Sequence, residues 1–238
     1  MKRVLLIGGT DSSGGAGLTR DCAVAHDLAC FAKPVVTCVT AQTNSAVSAI
    51  HEMPASVIGS QIMAAFEDTP PDAVKIGMTG SQSATNAIAD ALTNRRVPVV
   101  LDPVLRASSG GTLGDSAALK CLFTIADIVT PNLDEAAILS NRPIADCEHD
   151  LALQAQELCA QGARVVLIKG GHGQGDMCCD HLFDTVGACR FCLPRLRQNK
   201  RGTGCSLATA VACHMANGQD TREACRNAKD YLHRWIAE

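Results

Sequence analysis

Four residues, Gly202-Thr203-Gly204-Cys205, combine the features of an anion-binding turn with a reactive side chain. They run directly into an alanine-rich helical pattern, so their backbone N–H groups lack intrahelical partners and carry partial positive charge. The two glycines let an anion approach those groups closely. Cys205 adds a side chain able to accept a proton. Taken alone, the turn is equally compatible with an ordinary helix start, but it suits a site that stabilises charge on a transferring phosphoryl group.

Besides the turn at residues 202–205, several polar or glycine-rich segments occur in the sequence, and each of them directly follows a predicted strand. The carboxyl ends of parallel strands meet at one edge of an open α/β sheet, which is where ligands bind. Several such segments at one edge favour an active site over a set of unrelated turns. The segments are residues 8–17, 102–104 with 108–111, 130–136 and 169–172.

Brief β-branched runs alternate with segments of helical periodicity along the chain. Continuously apolar strands separated by helices predict an α/β fold, with a mainly parallel central sheet covered by helices on both faces as a three-layer structure. Two strand-like runs within residues 179–192, joined at Val186-Gly187, predict a small hairpin at the sheet edge. We expect one domain, residues 1–238. The predicted strands are residues 4–7, 35–40, 74–76, 97–101, 125–129 and 164–168, and the predicted helices are 17–29, 55–67, 81–94, 115–123, 150–161, 203–217 and 221–237.

Four residues at this edge have the chemistry to hold a nucleotide and its metal ion. Asn132 and Glu135 open a helix, and their oxygen atoms suit Mg²⁺ bound mostly through phosphates. Asp102, at the end of a strand, is a further metal candidate. Lys169 ends a buried strand, where its charge could bridge the phosphates of a nucleotide. No Gly-x-x-x-x-Gly-Lys-Ser/Thr motif occurs in the sequence, which argues against a P-loop fold.

Net charge, the N-terminal apolar run and the cysteine count exclude several classes of protein. The formal net charge of −3 over 238 residues gives no reason to expect binding to nucleic acid. The apolar run near the N-terminus is too short for a signal peptide or a membrane span, so we expect a cytoplasmic protein. The 13 cysteines are an odd number and do not look like a disulfide framework. We expect most of them to be reduced, and we favour this over a zinc site formed by Cys178, Cys179, Cys189 and Cys192.

In order and wording, the motifs resemble the hydroxymethylpyrimidine kinase/phosphomethylpyrimidine kinase family of thiamin biosynthesis, within the ribokinase-like superfamily. The resemblance covers residues 4 to 235, and the combination of motifs is specific although each alone is not. The matching motifs are residues 9–17 (Gly-Thr-Asp-Ser-Ser-Gly-Gly-Ala-Gly), 40–43 (Thr-Ala-Gln-Thr), 75–78 (Lys-Ile-Gly-Met), 102–104 (Asp-Pro-Val), 130–136 (Thr-Pro-Asn-Leu-Asp-Glu-Ala), 169–172 (Lys-Gly-Gly-His) and 202–205 (Gly-Thr-Gly-Cys).

The resemblance implies a kinase that uses ATP and Mg²⁺ to phosphorylate a pyrimidine alcohol and then its monophosphate. It implies that the pyrimidine pocket is lined by Gly9, Asp11, Asp21, Gln42 and Met78. It assigns the nucleotide to Lys169, Asn132, Gly171 and Thr203, the metal to Asp102, Glu135 and Asn132, and catalysis to Lys169 with Gly202, Thr203, Gly204 and Cys205. It also implies that the partners of the protein are its small-molecule substrate and ATP, and that it binds neither nucleic acid nor a membrane. It further implies a homodimer that pairs through sheet edges or small lids.

Two positions depart from the family pattern. Arg201 stands where the family has His, and Ser108 stands where it has a phosphate-facing lysine. Either Arg106 compensates for that lysine or the second phosphorylation is weakened. A pyridoxal kinase of the same fold and a catalytically silent relative remain alternatives, and Gln42 and Met78 discriminate between the pyrimidine and pyridoxine.

The role of Cys205 stays open between a proton acceptor and a residue that only shapes the anion hole. A thiol at a helix N-terminus is expected to have a lowered pKa, which favours the first role.

Overall fold

The computed structural model describes residues 1–105, 116–171, 175–198 and 200–238. Arg106, Ser108 and His172 lie outside the described residues. Within the described residues, no helix has both the length and the apolar character needed to cross a membrane.

The described residues form one nine-stranded sheet in the order β3-β2-β1-β4-β5-β6-β7-β8-β9. Strands β2, β1, β4, β5, β6 and β7 run parallel, whereas β3, β8 and β9 pair antiparallel with their neighbours. The chain leaves β1 toward β2 and then returns to β4 on the other side of β1, so the strand order reverses there. The strands are β1 (Arg3–Asp11), β2 (Phe31–Gln42), β3 (Val47–Glu52), β4 (Ala73–Ile76), β5 (Val99–Leu101), β6 (Ile128–Val129), β7 (Val166–Ile168), β8 (Met177–Asp184) and β9 (Gly187–Pro194).

Helices cover both faces of this sheet, which confirms the predicted α/β fold of three layers. One apolar core packs Ile58 and Ile62 against β1 and β4, and the other packs Leu207 and Val211 against the opposite face. The helices are α1 (Gly17–Asp27), α2 (Ala55–Glu67), α3 (Gln82–Leu92), α4 (Ser116–Phe123), α5 (Leu133–Ser140), α6 (Glu148–Ala160), α7 (Thr203–Ala216) and α8 (Thr221–Ala237).

The predicted edge hairpin is confirmed as β8 and β9, but the opposite edge strand β3 was not predicted. Strand β3 reads Val-Ser-Ala-Ile-His-Glu, and most of its side chains are exposed. An edge strand that buries little surface lacks the apolar pattern by which strands are recognised. Prediction from periodicity therefore missed it.

Most cysteines are free, as expected, but one disulfide that the sequence did not predict is present. Cys179 and Cys192 face each other directly across the hairpin, with their Cα atoms 4.1 Å apart, and they are bonded. The register of β8 against β9 creates this pair, and register cannot be deduced from cysteine spacing. Because two of the four sulfurs form a disulfide, they are not available as zinc thiolates. The remaining eleven cysteines are free.

A buried ion pair ties the sheet to two helices. Lys75, in the otherwise apolar strand β4, places its Nζ 2.7 Å from Oδ2 of Asp21 on α1, and both side chains are almost fully buried. The hydroxyl of Thr209 on α7 donates to the other carboxylate oxygen of Asp21 at 2.8 Å. Burial lowers the pKa of Lys75, but the charges of Asp21, Cys205 and Asp102 raise it by more, so Lys75 remains an ammonium ion.

Replacing Lys75 with Met is expected to lower the free energy of unfolding by about 3–5 kcal/mol, because it leaves Asp21 buried without its counter-charge. Urea unfolding followed by circular dichroism measures this change. The double variant Lys75→Met/Asp21→Asn should lose less than Lys75→Met alone, because no uncompensated charge remains. Lys2→Met, which breaks a partly exposed pair with Asp72, is the control and should cost under about 1 kcal/mol. Equal losses for the two Lys→Met variants would contradict the role assigned to the buried pair.

Candidate active site

Helix α7 begins with backbone N–H groups that no side chain caps. Its N-cap is Gly202, which has a positive φ of 76° and offers no side-chain oxygen. A Cβ atom at Gly202 would collide with the carbonyl oxygen of Gly15, so this position requires glycine. By contrast, the side chains of Ser81 and Asp220 accept from N–H groups at the starts of α3 and α8. The first turn of α7 therefore offers N–H groups to an anion; α1, α2 and α6 also begin without a side-chain cap, but Lys169 lies beside α7.

A cluster of charges lies beside this turn. Lys169, just after β7, places its Nζ 2.7 Å from Oδ1 of Asp102 and 3.8 Å from Oε2 of Glu135. A Cβ atom at Gly204 would lie 3.4 Å from the same Nζ, so the ammonium group borders the anion-binding turn directly. Burial lowers the pKa of Lys169, but Asp102 and Glu135 raise it by more, and the net shift is upward. Lys169 is thus a permanent positive charge beside the α7 N-terminus.

Asn132 and Glu135 cap helix α5 reciprocally. The side-chain oxygen of Asn132 accepts from the N–H of Glu135, and Oε2 of Glu135 accepts from the N–H of Asn132, both at 2.8 Å. This capping box fixes the Glu135 carboxylate toward Lys169. Burial and Asp102 raise the pKa of Glu135, whereas Lys169 opposes that shift. A buried carboxylate of this kind gains from a nearby cation.

The pKa of Cys205 corrects the expectation drawn from its place at a helix N-terminus. Burial raises the pKa of this thiol to about 11; Lys75 opposes the shift, and Asp21 and Asp102 add to it. The net effect of burial and these charges is opposite to the one expected at a helix N-terminus. Cys205 is therefore a neutral thiol at pH 7.

One cavity of about 910 Å³ joins the anion-binding turn to the charged cluster. The structure thus brings together the residues that the sequence assigned to nucleotide, metal and phosphoryl transfer. Among the residues that line the cavity are Asp102, Asn132, Glu135, Lys169, Gly171, Gly202, Thr203, Gly204 and Cys205.

The residues expected to line the pyrimidine pocket are not among those that line this cavity. Four of the five, Gly9, Asp11, Gln42 and Met78, lie at the neighbouring ends of β1, β2 and β4. A Cβ atom at Gly9 would lie 3.0 Å from the sulfur of Met78, so these two residues are in contact. Asp11 and Gln42 end β1 and β2, and the hydroxyl of Ser12 donates to the carbonyl of Gln42 at 2.8 Å. These four residues form a compact group beside the reversal of strand order. That is the place where open α/β sheets bind ligands.

Asp21 does not belong to that group. Its side chain is fully buried, and its two carboxylate oxygens are engaged by Lys75 and Thr209. These contacts hold Asp21 against β4 and the second turn of α7, and its expected contact with the pyrimidine stays a prediction.

Sequence reasoning gave no role to Arg201 or Asn44, which both line the cavity. The guanidinium of Arg201 donates to Asn44 Oδ1 at 3.0 Å and to Ser13 Oγ at 2.6 Å, and it pairs with Asp11 Oδ2 at 3.2 Å. Arg201 was noted only as a departure from the family pattern. The position of Arg201 next to Gly202 in the sequence could have indicated that it belongs to the site, whereas nothing in the sequence singled out Asn44.

Gly170 holds the segment after Lys169 against the edge hairpin. A Cβ atom at Gly170 would collide with the carbonyl oxygen of Cys179. The N–H of Gly170 donates to Asp180 Oδ1 at 2.9 Å, and Arg195 donates to the carbonyl of Gly171 at 2.6 Å. The hairpin therefore braces the backbone that carries Lys169.

The family model described as phosphomethylpyrimidine kinase matches residues 11–238. The chain belongs to this family. A hydroxymethylpyrimidine/phosphomethylpyrimidine kinase of Rhizobium meliloti is 39% identical over 238 residues, which cover 98% of this chain and 90% of that protein. Membership makes the chain a kinase, that is, a phosphotransferase.

Two solved structures confirm the ribokinase-like fold, and one of them is a phosphomethylpyrimidine kinase. The phosphomethylpyrimidine kinase of Clostridium difficile 630 has a TM-score of 0.85 at 31% identity and covers 99% of this chain and 100% of its own. The pyridoxal kinase of Staphylococcus aureus in complex with AMP-PCP and pyridoxal has a TM-score of 0.89 at 28% identity and covers 98% of this chain and 87% of its own. Fold alone therefore does not separate the two acceptor classes.

The raised pKa of Cys205 predicts slow alkylation at neutral pH. The rate of carboxamidomethylation by iodoacetamide should rise about tenfold per pH unit from pH 7 to 10, because only the thiolate reacts. Peptide mass spectrometry resolves Cys205 from the other cysteines, and the exposed Cys147 serves as an internal check on the reagent. A rate for Cys205 that levels off below pH 8 would show that the helix dipole prevails after all.

Proposed function

We propose that this kinase transfers the γ-phosphate of ATP to the hydroxymethyl group of 4-amino-5-hydroxymethyl-2-methylpyrimidine and then phosphorylates the resulting monophosphate. The observation that carries this proposal is the uncapped N-terminus of α7 beside Lys169, on the wall of one cavity. The phosphoryl transfer step needs positioned donors and charge neutralisation more than covalent chemistry. This arrangement supplies both.

In the proposed reaction, the N–H groups of Thr203, Gly204 and Cys205 hold the oxygens of the γ-phosphoryl group. Lys169 turns from Asp102 toward the nucleotide phosphates. The hydroxymethyl oxygen forms a bond to the γ-phosphorus as the bond to the ADP oxygen breaks. The proton of the alcohol passes to the Cys205 thiolate, and ADP leaves with the bonding electrons. Gly9, Asp11, Gln42 and Met78 bound the pyrimidine, and Gln42 hydrogen-bonds its amine and ring nitrogen.

The residues at the cavity suit a magnesium ion. Asp102 and Glu135 provide hard oxygen donors: Oδ2 of Asp102 lies outside its contact with Lys169, and the Glu135 carboxylate also accepts from the backbone N–H of Leu105. The side-chain oxygen of Asn132 is engaged in capping α5, so we assign Asn132 to positioning Glu135 rather than to direct ligation. When bound, the ion would neutralise charge on the ATP phosphates.

A second candidate, a pyridoxine kinase, is favoured by the likeness to the pyridoxal kinase of Staphylococcus aureus. Pyridoxine also presents a hydroxymethyl group on a six-membered aromatic ring. It has a phenolic oxygen where the pyrimidine has an amine, so the contact with Gln42 separates the two acceptors.

Release of ADP in a coupled assay, with the pyrimidine alcohol, its monophosphate and pyridoxine tested in parallel, decides between these acceptors. We expect turnover with both pyrimidines and at least tenfold lower kcat/KM for pyridoxine. Turnover with pyridoxine alone would establish the second candidate. Acceptor-independent or undetectable ADP release would contradict both.

The role of Cys205 as proton acceptor predicts a pH profile with a defined sign. Since its pKa is raised to about 11, the thiolate fraction at pH 7 is small, and kcat should rise with pH between 7 and 9.5. Cys205→Ala should lower kcat by about 100-fold or more, flatten this rise and leave the KM for ATP within about threefold. Cys159→Ala, which removes an exposed thiol on α6, is the control and should keep the wild-type profile. A Cys205→Ala enzyme with near wild-type kcat and the same slope would restrict Cys205 to shaping the anion hole.

A further inference from the structure

Arg201 connects three segments at the entrance to the acceptor side of the cavity. Its guanidinium contacts Ser13 in the β1–α1 loop, Asn44 in the β2–β3 turn and Asp11 at the end of β1. A Cβ atom at Gly15 would lie 3.0 Å from Nη1, so the guanidinium packs directly on the glycine-rich loop. Arg201 itself immediately precedes the anion-binding turn at residues 202–205.

The other lysines and arginines on the described cavity wall pair, like Arg201, with protein groups, but none of those groups lies in the loops on the acceptor side. Lys169 pairs with Asp102, and Lys229 pairs with Asp180 at 2.9 Å. Arg195 donates to backbone carbonyls of the β7–β8 connection, and Lys200 donates to the carbonyl of Trp235. Among these five cations, Arg201 alone contacts the loops that border the proposed pyrimidine pocket.

Arg201 also retains hydrogen-bonding capacity. A guanidinium has five N–H groups, and three contacts account for Nη1 and for one N–H of Nη2. Its Nε is buried and has no hydrogen-bond partner within the described residues. A buried donor without a partner is costly, and a guanidinium fork matches the oxygens of a phosphate. Arg201 lines the cavity, and the second N–H of Nη2 lies outside these contacts, so an oxyanion that displaces Asn44 or Asp11 would meet a matching donor pair.

We propose that Arg201 binds the phosphate of the monophosphate acceptor and so favours that acceptor in the second phosphorylation. This inference rests on the proposed function. In the first reaction the acceptor is an uncharged alcohol and needs no such cation. In the second reaction the acceptor brings about two negative charges next to the incoming γ-phosphate.

The test compares Arg201→Gln with wild-type enzyme on both pyrimidine acceptors. Arg201→Gln should raise the KM for the monophosphate at least tenfold more than the KM for the alcohol, because only the monophosphate loses a charged contact. Arg201→Lys should lie between the two, since it keeps the charge and loses the fork. Calorimetric titration of each acceptor without ATP gives the same comparison as a binding constant, independent of turnover.

Arg197→Gln, four positions earlier and exposed, is the matched control and should leave both acceptors unaffected. Equal effects of Arg201→Gln on the two acceptors, or no effect, would overturn the proposal. So would selective loss of monophosphate binding in Arg106→Gln instead. If Arg201→Gln does not fold by circular dichroism, Arg201→His, which carries the family's residue, takes its place with the same expectation. Wild-type turnover of the alcohol tests the proposed function separately, because the inference concerns only the difference between acceptors.

Discussion

The ion pair between Lys75 and Asp21 is the constraint on which the site depends. It joins β4 to α1, and through Thr209 it also fixes α7, whose first turn forms the proposed anion hole. A fully buried pair tolerates little displacement, because separating the charges in a poorly solvated interior is costly. The floor of the site is therefore held in place by this ion pair.

Above this pair lies a second layer of charge. Lys169 stands between Asp102 and Glu135, and the capping box of α5 fixes the orientation of Glu135. The two layers together contain three carboxylates and two ammonium groups close to the start of α7. The two ammonium groups offset two of the three carboxylate charges, which leaves one negative charge that the proposed magnesium ion would offset. Burial is the main cause of the raised pKa of Cys205, and Asp21 and Asp102 contribute smaller upward shifts.

The parallel strands and most helices could be predicted from the sequence, because their apolar patterns reflect burial in the sheet and beneath it. Asp102 and Lys169 directly follow predicted strands, so they could be predicted to lie close together, because the carboxyl ends of parallel strands lie at the same edge of the sheet. Strand β3, the Cys179–Cys192 pair and the partners of Arg201 could not. They depend on exposed edges, on strand register and on contacts between distant loops, none of which leaves a local pattern. Burial likewise reversed the expected pKa of Cys205.

The two adjacent glycines after Lys169 are under different constraints. A methyl group on Gly170 would run into the backbone of the edge hairpin, whereas one on Gly171 would meet no atom of the described residues within 4 Å. Packing among the described residues therefore leaves Gly171 open to replacement by another small residue and excludes any side chain at Gly170. A single missing methyl group thus sets how closely the segment that carries Lys169 approaches the hairpin, and it makes the permitted sequences of these two segments depend on each other.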